Sequence, residues 1–163
     1  MDIEQQKAFD LCLEGHNVLV TGLAGTGKTL LLTIIARALK ALGKHVQVTS
    51  TTGIASTAFS ADLKATTIHR WSGQHDGRYE AKHTAEIIMT SPKQENTLAE
   101  IRKNDVLIID EVSMLSRKMF DQLEQICSIV RGSKKYFGGM QIILSGDFYQ
   151  LPPVPNKQYN DDG

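Results

Sequence analysis

Four apolar runs punctuate the chain: "NVLVTG" at 17–22, "HVQVTS" at 45–50, "DVLIIDE" at 105–111 and "MQIILSGD" at 140–147. Apart from the brief V-Q-V-T of the second, none alternates apolar with polar at period two, the mark of a strand with one wet face. Continuous runs of this length fit strands of a parallel sheet covered on both faces. Between them the period becomes helical. Leu31, Ile35, Ala38, Leu39 and Leu42 recur at helical spacing before Gly43, as do Met119, Leu123, Ile126, Cys127 and Val130 before Gly132. Each glycine supplies a helix stop. A shorter helical segment, "IEQQKAFDLCLEG", precedes the first strand. Strand and helix in alternation predict an α/β protein, a three-layer α/β/α sandwich with a mostly parallel sheet.

One region departs from this rhythm. From Ser72 to Asn104 the chain is polar, with "SGQHDGRYE" and "TSPKQENT" around a brief "IIM". Residues 74–104 read as a loop excursion holding one or two short helices. Pro152 and Pro153 mark an exit from the sheet, so one domain is expected over 1–155 and a fraying tail over 156–163.

Composition narrows the class. The 163 residues carry no formal net charge, so no global basic field advertises nucleic acid, although a local groove can still be basic. No apolar run approaches the ~20 residues of a membrane span, and "MDIEQQKAFD" lacks the basic and apolar regions of a signal peptide. Cys12 and Cys127 lie in apolar helical patterns, which suits buried free thiols in a reducing compartment. The expectation is an intracellular, soluble protein without a membrane partner.

"GLAGTGKT" at 22–29 fits G-x-x-x-x-G-K-[ST], and it follows a strand and opens a helix. Gly22, Gly25 and Gly27 permit positive φ, so backbone N–H groups of the loop, Ala24 and Thr26 included, can turn inward around phosphate oxygens. The helix begun by Lys28, Thr29 and Leu30 adds unpaired donors and its dipole. Lys28 offers a cation to the β- and γ-phosphates, and the Thr29 hydroxyl a magnesium ligand. "VLIIDE" supplies the partner acids. Asp110 stands at the C-terminal end of a parallel strand, where α/β proteins bind ligands. It is placed to hold Mg2+ through water, and Glu111 to orient or deprotonate an attacking water. These residues imply ATP-type nucleotide chemistry.

The remaining segments carry a resemblance. "TGLAGTGKT", "VTSTTGIAS" (48–56), "TTIHRWSG" (66–73), "LIIDEVSML" (107–115) and the span from "SRKMFDQLEQ" to "GDFYQLPPV" (116–154) together resemble the Pif-type DNA helicases of superfamily one, relatives of RecD. "IEQQKAF" is similar to that family's opening glutamine motif. The resemblance implies a RecA-like ATP-binding motor domain, moving 5′ to 3′ on single-stranded DNA, with roles in repair, recombination and telomere maintenance. It implies that Gln5 reads the adenine edge; a helix-cap role for Gln5, or Gln6 in its place, is the alternative. It also implies that Gln150 reaches the γ-phosphate. An amide there both donates and accepts without adding charge to an anionic site, and the prolines behind it would pass its movement on.

By the same resemblance, Thr51, Thr52, Gly53, Thr67, His69 and Trp71 contact DNA. Hydroxyls and a helix opening at Gly53 suit phosphates, and Trp71 could stack on a base. A buried packing role is the other reading of this sole tryptophan, where family members usually carry phenylalanine. Motifs beyond the third have no match in the chain. The resemblance therefore implies a second RecA-like domain in a longer protein, with ATP between the two, and at most slow hydrolysis by this domain alone. Nucleus, mitochondrion and bacterial cytoplasm all fit. A P-loop ATPase that moves no strand, or a binding module without catalysis, stays open.

Overall fold

The computed structural model describes residues 1–22, 27–74 and 79–147. Among these, five strands form one parallel sheet: β1 (Val18–Thr21), β2 (Val46–Ser50), β3 (Thr66–Thr67), β4 (Val106–Asp110) and β5 (Gln141–Gly146), in the order β1-β5-β4-β2-β3. The four strands expected from the apolar runs lie within their predicted spans. β3 is an addition, too short for any periodicity to announce.

Both faces of the sheet are covered, which explains the unbroken apolar runs. Successive β4 side chains point to opposite layers. Val106 and Ile108 join Ile143 and Val48 against Cys12 of α1 (Ile3–Leu13) and Leu32, Ile35, Ala36 and Leu39 of α2 (Lys28–Ala41). Leu107 and Ile109 join Ile142 on the other side, against Leu123, Ile126, Cys127 and Val130 of α7 (Arg117–Arg131). The result is the predicted α/β/α sandwich. Short α3 (Gly53–Ser56) and α4 (Ile68–Ser72) follow β2 and β3 directly.

Capping fixes where the long helices start. Asp2 accepts the Gln5 N–H at 2.8 Å while Gln5 Oε1 accepts the Asp2 N–H at 3.1 Å, a reciprocal capping box on α1. Ser116 caps α7 through the Met119 N–H, and Gly132 ends that helix at φ 65°.

Residues 74–104, read as a loop excursion with one or two short helices, do hold two helices, and these join the core. The segment holds α5 (Ala81–Thr90) and α6 (Glu95–Lys103), which pack on α7 as part of the second layer. Ala81, Thr84, Ala85 and Ile88 are buried at i, i+3, i+4 and i+7. The helical signal was present but written in small residues, which weigh little in an apolar pattern.

Candidate nucleotide and DNA site

All five strands run the same way, so every turn leaving a C-terminal end opens on one edge. The residues there are Gly22 after β1, Thr51 after β2, Ile68 after β3, Glu111 after β4 and Asp147 after β5. The predicted functional segments begin at that edge, except that of Gln5, which comes from α1.

The described part of the phosphate loop is its two ends; Ala24, Gly25 and Thr26 lie outside the described residues. Gly27 is left-handed at φ 81° and forms the N-cap of α2, with no side chain to use up the first-turn donors. Lys28 Nζ reaches back to donate to the Gly22 carbonyl at 2.8 Å, so the ammonium lies across the mouth of the loop. Thr29 and Leu30 begin the helix, Leu30 exposed and Thr29 half-buried; the Thr29 carbonyl accepts from the Thr33 hydroxyl at 2.8 Å. A cleft of about 390 Å³ joins this mouth to α1, lined by Asp2, Gln5, Ala8, Gly22, Lys28 and Leu31. A methyl at Gly27 would lie 3.6 Å from Gln5 Nε2. Gln5 therefore serves as cap through its carbonyl and faces the loop through its NH2. Gln6 instead donates to Asp10 at 2.9 Å along the helix.

Asp110 is 6% exposed, and its Oδ1 accepts the Glu111 N–H at 2.8 Å. Burial raises its pKa, opposed by that N–H, by the neighbouring Ser145 hydroxyl and by Lys28. Glu111 is also raised, first by burial, then by the charge of Asp110, with Lys28 opposing. Two carboxyls and one ammonium thus share a partly dehydrated corner. Glu111 has φ 57° and ψ 39°, a left-handed conformation that costs a non-glycine residue of order 1–3 kcal/mol. Its carbonyl accepts from the Met114 N–H at 3.0 Å and from the Thr51 hydroxyl at 3.2 Å.

The β5 end closes against this turn. Ser113 Oγ donates to the Asp147 carbonyl at 3.2 Å. A Cβ on Gly146 would come within 3.2 Å of the Ser113 N, so only glycine lets the two segments meet without a shift. Gln150 lies outside the described residues.

On the other side, Thr52 caps α3 by accepting the Ala55 N–H at 3.1 Å, and Thr67 caps α4 by accepting the Arg70 N–H at 3.2 Å. Capping uses a lone pair and leaves each hydroxyl proton free to donate outward. Gly53 is exposed and His69 half-buried. Trp71 contradicts its expected stacking role. Its ring is 5% exposed and packs in the core with Ile68, Ala85 and Ile88, leaving no open face for a base. The packing alternative is the one the geometry matches.

A family model described as PIF1-like helicase matches residues 1–162. The chain belongs to the PIF1-like helicase family. It is 39% identical over 160 residues to the ATP-dependent DNA helicase RRM3 of Saccharomyces cerevisiae, covering 96% of this chain and 21% of that protein. With the ATP-dependent DNA helicase Pif1 of Psychrobacter it shares 36% over 155 residues, covering 95% and 22%. The crystal structure of Pif1 helicase from Candida albicans superposes with a TM-score of 0.85 at 32% identity, covering 98% of this chain and 35% of that one. Pif1 helicase from Bacteroides in complex with ADP-AlF3 and ssDNA gives 0.76 at 32% identity, with the same coverages. The chain spans about a fifth of the length of the curated relatives it matches and about a third of the solved ones.

Within this PIF1-like domain the sequence reading overlooked Ser145. Its hydroxyl is fully buried beside Asp110 and finds no hydrogen-bond partner of good geometry. A lone serine in the apolar "IILSG" run was the available signal. A buried carboxylate made costly by dehydration, next to a buried hydroxyl, is an environment a hydrated divalent cation would satisfy. Among the described residues no cluster of three or more His, Cys, Asp or Glu could hold a metal by itself. Magnesium takes one or two protein ligands and completes its shell with phosphate oxygens and water, and Asp110 is a carboxylate of that kind.

Proposed function

We propose that this domain is the ATP-binding motor domain of an ATP-dependent DNA helicase, coupling ATP binding and hydrolysis to movement along single-stranded DNA, 5′ to 3′, and to duplex unwinding in the full-length protein. One observation carries the proposal. Lys28, Asp110 and Glu111 converge at a single sheet edge, beside the Thr52 and Thr67 turns of the adjacent strands. The Bacteroides relative crystallised with ADP-AlF3 and ssDNA supports the same pairing of ligands.

In this reading ATP enters the cleft between α1 and the loop. The Gln5 amide faces the base, and the amides of Gly22, Ala24, Gly25, Thr26 and Gly27 cradle phosphates with those of Lys28, Thr29 and Leu30. Lys28 leaves the Gly22 carbonyl and donates to the β- and γ-phosphate oxygens. Exchange of a neutral acceptor for an anionic one strengthens that hydrogen bond. Thr29 and Asp110 would hold magnesium, which when bound would neutralise charge on the transferred phosphate. Glu111 accepts the proton of the attacking water; a carboxylate raised by burial is a stronger base than one in solvent. Gln150 contacts the γ-phosphate. The second RecA-like domain would supply an arginine worth ~10³–10⁵ in rate, so this domain alone hydrolyses slowly. The Thr52, Gly53, Thr67 and His69 segments face the DNA backbone. The proposed setting is a DNA-containing compartment: nucleus, mitochondrion or bacterial cytoplasm.

The test is an ATPase assay with and without single-stranded DNA. The full-length wild type should be stimulated by DNA. Lys28→Ala should lose nucleotide affinity by calorimetry, and Glu111→Gln should bind nucleotide yet lose about 10²–10⁴ in turnover. Normal hydrolysis by Glu111→Gln would exclude its role. Indifference to DNA would point to a P-loop ATPase that moves no strand.

A further inference from the structure

The β2–β4 ladder pairs Ser50 with Asp110 and then stops. One residue further, Thr51 stands across from Glu111, and a side chain takes over where backbone pairing ends. The Thr51 hydroxyl donates to the Glu111 carbonyl at 3.2 Å. Ser50 Oγ donates to the Thr52 carbonyl at 2.7 Å, which holds the turn that aims Thr51 at its partner.

The contact falls on a residue whose backbone is strained. Glu111 is one of three non-glycine residues with positive φ among the described residues, and the one of them at the nucleotide edge. Three bonds define its posture: its own N–H to Asp110, the Met114 N–H to its carbonyl, and the Thr51 hydroxyl to the same oxygen. The first two come from Glu111's own turn. Only the third ties it to another strand. A hydroxyl has one proton to give. While that proton lies on the Glu111 carbonyl, the Thr51 side chain has no donor left for a DNA phosphate, because phosphate oxygens only accept.

We propose that Thr51 is a positioning residue for Glu111, holding the catalytic acid's left-handed turn against β2, and not a ligand of the DNA backbone. The inference rests on Glu111 being the residue that receives the water proton. Loss of the tie leaves nucleotide contacts intact and lets the carboxylate wander, so it acts on turnover and not on binding.

The test compares Thr51→Val, isosteric but without the proton, with Thr51→Ser, which keeps it, in the full-length protein. Steady-state ATPase is measured without DNA, and single-strand affinity by anisotropy of a labelled oligonucleotide. Thr51→Val should lose about five-fold in kcat, the worth of one ordinary hydrogen bond, with KM for ATP and Kd for DNA within two-fold of wild type. Thr51→Ser should retain the wild-type kcat. A Thr51→Val protein that keeps its DNA-free kcat but loses DNA affinity overturns the proposal and makes Thr51 a phosphate ligand. Equal losses in both variants also overturn it, because the methyl group and not the proton would then matter. Wild-type activity that Glu111→Gln abolishes, with Thr51→Val indistinguishable from wild type, removes this inference alone. Activity unaffected by Glu111→Gln removes the parent reading with it.

Discussion

Trp71 offers the sharpest choice between a core role and a DNA role. A buried tryptophan removes about 150–250 Å² from water, worth roughly 4–6 kcal/mol at about 25 cal/mol per Å². That is an upper value, since the unfolded chain already hides part of the surface. Against it stands the indole Nε1–H, buried with no hydrogen-bond partner among the described residues; an orphaned donor costs about 1–3 kcal/mol. Trp71→Phe forfeits about a third of the buried area, some 1–2 kcal/mol, and removes the orphan. The two terms nearly cancel. Urea unfolding followed by circular dichroism should therefore place Trp71→Phe within about 1 kcal/mol of the parent. Trp71→Leu, which loses both volume and shape, should cost about 2–4 kcal/mol. Neither change should move single-strand affinity by more than about two-fold, because the ring has no face for a base. Leucine cannot stack, and a stacked base is worth about 1–3 kcal/mol. A five-fold or greater loss of DNA affinity in Trp71→Leu, measured well below its melting temperature, would refute the core assignment.

Other outcomes follow from the same geometry. Burial raises the Asp110 pKa, so its contribution to stability is whole below the unfolded carboxylate pKa and is lost as pH rises through the higher folded value. Asp110→Asn should accordingly be the more stable protein at neutral pH without nucleotide, with the gap closing as pH falls in a series of thermal melts. Gln5→Glu preserves the capping box on α1 but removes the NH2 that faces Gly27; melting should hold while any preference for ATP over GTP weakens in competition binding. Ser116→Ala removes the α7 cap and should cost about 1 kcal/mol in denaturant unfolding.

What the chain disclosed in advance follows the strength of its local signals. Buried parallel strands announce themselves as unbroken apolar runs, and all four such runs became strands of the sheet. The α5 helix was expected only as a short helix in a loop, because two of its four buried positions are alanines, whose small apolar surface makes a faint periodicity. The proposed nucleotide residues stood out because phosphate binding demands glycine, lysine and threonine at fixed spacing within one loop. Ser145 and Thr51's tie to Glu111 were not legible, and the burial of Trp71 was legible only as an alternative. Each depends on which strand lies beside which, and β5 reaches Asp110 only through the 1-5-4-2-3 order.

That order also bears on how nucleotide state and DNA could influence one another. β4, which ends in the acids, lies between β5 and β2, so Glu111 has a neighbour on each side. On one side the turn following it is tied to Asp147 through the Ser113 hydroxyl, in the segment that leads toward Gln150. On the other its carbonyl is tied to Thr51, one residue from the capping hydroxyl of Thr52. A shift of the Glu111 turn by even a fraction of an ångström must lengthen one of these bonds or drag the attached segment with it. The Gly146 approach leaves no slack on the β5 side, since a single added carbon would already crowd Ser113. In the proposed motor, a movement of this turn would reach both the Asp147 segment and the Thr52–Gly53 turn. On that side α3 has no fully buried residue among the described ones, Ala55 and Ser56 being half-buried.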